Sequence, residues 1–108
     1  MAGERARLAA TTLPDLPDPI GVAGPFVGVH NDALIVAGGA NFPVSAGGDL
    51  WEVPKVYHAD AWVLMRQKAK GAKAEGKEFD YEWKTGFKLK MPVAYGMCVS
   101  TEKGVVCI

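Results

Sequence analysis

The sequence predicts an all-β fold built from repeated units of four antiparallel strands. An internal repeat and the extended segments on either side of Gly38-Gly39 carry that prediction. Laid over each other without gaps, residues 23–37 match residues 94–108 at an offset of 71, so that Ala37 falls on Ile108. Identity between the copies is low. What repeats is a short apolar strand, a polar turn and a second apolar run. The first copy ends Leu34-Ile35-Val36-Ala37 and enters the diglycine; the second ends Val105-Val106-Cys107-Ile108. The repeat implies one complete unit and the opening of another, with a Gly-Gly expected directly after Ile108. Residues 1–13 read as an N-terminal segment able to supply a strand to another unit, 14–92 as the first unit, and 93–108 as the start of the second.

The elements follow in order. Three prolines in residues 13–19 exclude a helix and suit an extended connector. Residues 22–29 and Ala33–Ala37 are rich in Val, Ile and Phe and flank His30-Asn31-Asp32, a hairpin signature. Gly38-Gly39 lets the backbone turn sharply or pack closely. Residues 40–55, with Pro43, Gly47, Gly48 and Pro54, read as a loop long enough to carry function. Residues 56–65 form a third strand, with Tyr57, Trp62 and Val63 supplying β-propensity. Residues 66–78 are a lysine-rich connection, read as a solvated turn because Glu75 and Glu78 dilute its charge. Residues 79–89 form a fourth strand, and Met91-Pro92 leads into the second copy, with strands over 94–100 and 105–108. Two strands before the diglycine and two after it make the four-stranded blade of a β-propeller.

Composition narrows the functional classes. Twelve Lys and Arg balance twelve Asp and Glu, so no long-range field draws the chain toward nucleic acid or an anionic membrane. No apolar stretch approaches the roughly 18 residues of a spanning helix. The first ten residues lack the sustained apolar segment of a secretory signal. A cytoplasmic site is expected if Met1 is the true start, with the periplasm as the alternative. Two cysteines make neither a disulfide framework nor a zinc site. If residues 101–104 form a hairpin turn, Cys98 faces Cys107 across the strands. The plain reading is a pair of small buried hydrophobes; a bond or a redox role is the alternative.

The diglycine, then Tyr57, then Trp83, in that order, resemble a kelch motif. Residues 19–43, from Pro19-Ile20-Gly21 through Gly38-Gly39-Ala40-Asn41-Phe42-Pro43, together with Tyr57-His58-Ala59-Asp60 and Ala94-Tyr95-Gly96, resemble the N-acetylneuraminate (sialic acid) mutarotase/epimerase family. The similarity is greatest to its cyclically permuted branch and covers residues 13–108. The resemblance implies a six-bladed kelch-type β-propeller that interconverts the anomers of free sialic acid without metal or organic cofactor. Six blades need about 250 or more residues, so this chain reads as a fragment of about one and a half blades. The family's proposed acid/base glutamate follows a glycine in another blade's loop, with a partner arginine. Glu52 and Glu102 match that motif nowhere else, so no catalytic residue is assigned and the isolated chain is expected to be inactive.

Candidate substrate-binding residues are Asn41, Phe42, His58 and Tyr95. Asn41 and Phe42 leave the diglycine at one face of the blade, Tyr95 opens the inner strand of the next, and His58 can hydrogen-bond a sugar or simply pack at the rim. Trp51 and Glu52 lie in the long loop, where an indole can stack on a sugar or cap the blade. His30 reads as a solvent-facing turn residue, and Tyr57 and Trp83 as blade-packing aromatics. A sugar acid is the expected partner of the parent protein, and uncovered strand edges invite self-association. A kelch module presenting residues 40–55 to a protein, and a non-functional remnant, are the alternative readings.

Overall fold

The computed structural model describes residues 10–43, 48–49, 52–69 and 79–108. Its strands are β1 (Phe26–His30), β2 (Ala33–Ala37), β3 (Ala40–Asn41), β4 (Val56–Tyr57), β5 (Asp60–Lys68), β6 (Phe79–Lys88), β7 (Cys98–Thr101) and β8 (Gly104–Cys107). Four of them form an antiparallel sheet in the order β1-β2-β5-β6, while β3-β4 and β7-β8 are separate two-stranded ladders. The chain is all-β: one blade of a kelch-type propeller, followed by the opening hairpin of the next.

The β1–β2 hairpin follows from its turn chemistry. His30 pairs with Ala33, leaving Asn31 and Asp32 as a two-residue loop with φ of 48° and 63°. A turn of this hand needs positive φ at both positions, and Asn and Asp bear that conformation at low cost. The alternation in β1 then places Phe26 and Gly28 inward and leaves Val27 and Val29 exposed. The β7–β8 hairpin also has a two-residue loop, Glu102-Lys103, but there the positive φ falls on the following Gly104 (145°) instead; Cys98 pairs with Cys107 and Ser100 with Val105, as a hairpin turn over 101–104 predicts.

The core sits where the blade meets the second hairpin. Phe26, Ala37 and Ala61 are buried together, with Leu89, Val93 and Cys98 packed on them. Gly28 lets β8 approach β1, since a methyl group there would strike the Val105 side chain. On the outer strand, Trp83 Nε1 donates to the Pro14 carbonyl at 3.1 Å, tying the proline-rich connector to the blade.

Several expectations need correction. The first strand begins at Phe26, because Gly24 (φ 63°) and Pro25 interrupt residues 22–25 and leave only an isolated bridge from Ala23 to Ala40. The third strand is two. Val56–Tyr57 pairs with β3, whereas Asp60 onward joins the main sheet. Between them, Ala59 accepts from the Leu89 amide at 2.7 Å and the His58 amide donates to Gly39 at 2.9 Å. A bulge between Ala61 and Val63 shifts the register against β6. The loop expected over 40–55 opens as strand β3, and the connection expected to begin at Arg66 is still strand through Lys68. Over 94–100 only Cys98 onward is strand, because Tyr95 adopts φ 65°. Of the two cysteines expected to be small buried hydrophobes, Cys98 is half-buried and Cys107 is exposed. His30 is half-buried. The N-terminal residues 1–9, Trp51 and the lysine-rich residues 70–78 lie outside the described residues.

Candidate functional site

The chain leaves β2 through Gly38 (φ 70°) and Gly39 (φ 98°) into β3. Pairing Asn41 with Val56 in the β3–β4 ladder brings Phe42 and Lys55, the residues just beyond that pair, to the same end of the blade. The Tyr95 amide donates to the Gly24 carbonyl at 2.8 Å, and its ring lies over Gly24, where a Cβ would meet Tyr95 Cε1 at 2.6 Å. These backbone links carry Tyr95 from the second hairpin to the mouth formed by the first blade.

Asn41 is the buried polar group of this region. Its Nδ2 donates to the Gly21 carbonyl at 2.9 Å, so its Oδ1 remains as an acceptor. His58 Nε2 stands 2.8 Å from that oxygen. Since Oδ1 can only accept, Nε2 carries the proton. His58 Nδ1 then faces Asp60 Oδ2 at 4.0 Å, and the other Asp60 oxygen is paired with Lys88. Asn41 and His58 thus spend their polar groups on each other and on the frame. The ring of His58 stands behind Asn41, away from the cavity wall.

An aromatic and cationic cluster faces outward beside them. Lys55 Nζ donates to Tyr95 Oη at 3.2 Å, lying 5.0 Å from the Tyr95 ring centre and 5.7 Å from that of Phe42. The Tyr95 hydrogen bond raises the Lys55 pKa above its ordinary value, which keeps the ammonium charged. Tyr57 meets Tyr95 edge to face at 6.4 Å. An open cavity of about 450 Å³ is lined by Ile20, Gly21, Val22, Asn41, Phe42 and Tyr95, among others. Its volume falls within the range of small-molecule sites. Three of the four residues expected from the sequence therefore line one cavity, and the fourth, His58, supports it from behind. Lys55 is the residue that sequence reasoning missed. Its only signal is its place directly before a tyrosine-bearing strand, which means little until β3 and β4 are paired.

Arg66 is engaged at the opposite end of the blade. Its Nη2 lies 2.6 Å from Asp32 Oδ1, and its guanidinium stacks 4.1 Å from the Phe79 ring centre. The Asp32 carboxyl titrates below its usual range because Arg66 hydrogen-bonds it. Glu52 and Glu102 are exposed. Among the described residues, no group of three or more His, Cys, Asp or Glu side chains is arranged to hold a metal ion. Among the described residues, no helix is long and apolar enough to cross a membrane.

No family model matches the chain. An N-acetylneuraminate epimerase of Yersinia enterocolitica is 31% identical over 95 residues, which are 82% of this chain and 21% of that protein. The N-acetylneuraminate epimerase of Yersinia pestis is 28% identical over the same length. Among solved structures, that of YjhT superposes with a TM-score of 0.65 at 28% identity, covering 89% of this chain and 26% of the other. The chain thus spans about a fifth of the length of the curated relatives it matches. Over that share, sequence and fold agree with the pattern around the diglycine: the chain is similar to part of the N-acetylneuraminate epimerases.

Proposed function

We propose that this chain forms one wall of the sugar-acid pocket in a propeller that interconverts the anomers of N-acetylneuraminate. The observation that carries the reading is the convergence of Asn41, Phe42 and Tyr95 on one cavity at the diglycine end of the blade. Anomer exchange requires a proton to leave the anomeric hydroxyl and another to reach the ring oxygen. This chain's part in that chemistry is binding. Phe42 and Tyr95 offer ring faces to a pyranose. Lys55 offers a cation to the substrate carboxylate. Asn41, locked by Gly21 and His58, fixes the depth of the floor. The proton-transferring pair belongs to other blades of the parent.

Titration of the chain with N-acetylneuraminate, followed by NMR, tests this. The expected result is perturbation of the Phe42 and Tyr95 ring signals, weakened at least about tenfold by Lys55→Met through loss of the ion pair. Equal binding of a neutral N-acetylhexosamine, or perturbation of residues remote from this cavity, overturns it. In the same samples, the rate of anomer exchange is expected to equal that in buffer.

A further inference from the structure

The second hairpin carries a feature unrelated to the sugar site. Cys98 and Cys107 are register partners, with their sulfurs 3.1 Å apart. At the neighbouring position, Met97 and Ile108 exchange both backbone hydrogen bonds, at 3.0 and 2.9 Å. In an antiparallel ladder such pairs alternate with non-hydrogen-bonded ones, so Cys98–Cys107 is of the second kind. There the Cα atoms approach to about 4.5 Å and the side chains stand closest. That spacing falls within the range a disulfide spans, about 4.4–6.8 Å.

We propose that Cys98 and Cys107 form a thiol–disulfide modification site, closed into an intrachain bond by a low-molecular-weight disulfide. Two arguments favour this over metal binding. Thiolates sharing one tetrahedral zinc at about 2.3 Å each stand roughly 3.8 Å apart, further than these sulfurs. No third ligand group accompanies them among the described residues. Access comes from Cys107, which is exposed; Cys98 packs against Phe26, Ala37 and Ala61, which hold its sulfur in place.

The step balances as an exchange. One cysteine thiolate attacks a sulfur of the small disulfide R–S–S–R, the S–S bond breaks, and the first RS⁻ leaves. The second cysteine gives its proton to solvent and attacks the Sγ of the first cysteine, so that the Sγ–Sγ bond forms as the bond from that Sγ to the remaining RS group breaks and the second RS⁻ leaves. Two protein thiols are oxidised, one small disulfide is reduced to two thiols, and the two protons end on the released thiolates.

The test equilibrates the chain in buffers of reduced and oxidised glutathione, quenches with iodoacetamide and measures intact mass. The expected product is a monomer lighter by two hydrogens, carrying neither glutathione nor alkyl group. Cys98→Ser and Cys107→Ser should each stop at a single glutathione adduct. Repeating the equilibration in concentrated urea should lower the closure constant at least about tenfold, because the fold then no longer holds the sulfurs together. Doubly glutathionylated wild-type chain, disulfide-linked dimers, or a closure constant unchanged by urea would each overturn the proposal.

Discussion

The Val29 amide donates to Ser100 Oγ at 2.9 Å across the junction between blade and second hairpin, and the two residues are 71 positions apart. That separation is the repeat offset itself. Val29 and Ser100 are therefore equivalent positions of successive units, joined where the two inner strands run side by side. Ser100→Ala should leave this amide to water and cost about 0.5–1 kcal/mol, a modest sum because the site is exposed. Hydrogen exchange at Val29 should speed up in Ser100→Ala and hold in Ser100→Thr.

Asn41→Ala should cost about 2–4 kcal/mol in urea unfolding. It leaves two part-buried groups without their partner, the Gly21 carbonyl and the His58 Nε2–H, each worth about 1–3 kcal/mol where water does not replace the amide. Asn41→Leu should be at least as damaging. A loss under about 0.5 kcal/mol would mean that the amide is not the keystone of this end of the blade.

Gly28→Ala should destabilise the chain by about 1–3 kcal/mol, since the new methyl group overlaps the Val105 side chain. Its backbone is ordinary strand, so the damage lies wholly in that contact. Val105→Ala should therefore recover much of it. A double-mutant cycle with no coupling between the two changes would contradict the packing of β1 against β8.

Although Cys107 as a residue is exposed, its thiol is pushed up to about 11, first by the partial desolvation of the sulfur and then by its hydrogen bond with Cys98. Cys107 also borders a cavity with Phe26, Leu89, Lys90 and Val93; Lys90, the cation there, does not overcome these effects. A raised pKa leaves the thiolate scarce at neutral pH. Alkylation of Cys107 should then rise roughly tenfold per pH unit until about pH 11. The same shift means that any stability Cys107 lends is full below pH 9.0 and fades as pH climbs through about 11. In Cys98→Ala the reactive form should appear at lower pH, though still above 9.0, because burial remains.

The outer faces predict association. Val27 is 45% exposed, Val99 60% and Val106 53%, all on strands that a closed ring would cover. Sedimentation of the chain by itself should show concentration-dependent oligomers, and Val99→Lys with Val106→Lys should shift it toward monomer. A cooperative, freely monomeric chain at high concentration would contradict this.

Much of the architecture was legible in the sequence because turn chemistry and the repeat are local signals. Asn31-Asp32 mark the first hairpin, and a hairpin turn over residues 101–104 gives the Cys98–Cys107 and Ser100–Val105 register. The interruptions at Gly24-Pro25 and at His58-Ala59 were not legible. Strand-forming residues stand on both sides of each, Val22 and Phe26 about the first and Tyr57 and Trp62 about the second, and the breaks follow from the separate pairing of β3 with β4 and of Ala23 with Ala40. The candidate site shows the same division. Asn41, Phe42 and Tyr95 could be found because they adjoin the glycines or the repeat boundary. Lys55 could not, since its partners Phe42 and Tyr95 are remote in sequence. For His58 the sequence leaves open a sugar contact or packing at the rim, since its hydrogen-bond partner Asn41 lies 17 residues away.

The diglycine amides have a consequence for how such proteins can diverge. Gly38 donates to the Asp60 carbonyl and Gly39 to the Val93 carbonyl, both at 2.8 Å, while the Val93 amide returns to His58 at 3.2 Å. Every atom in this knot is main chain. The pitch at which one blade hands over to the next is thus written in peptide groups, which no substitution short of proline or a Cβ at Gly38 or Gly39 alters. Side chains around the knot are free to change the chemistry of the cavity while the angle between blades stays as it was.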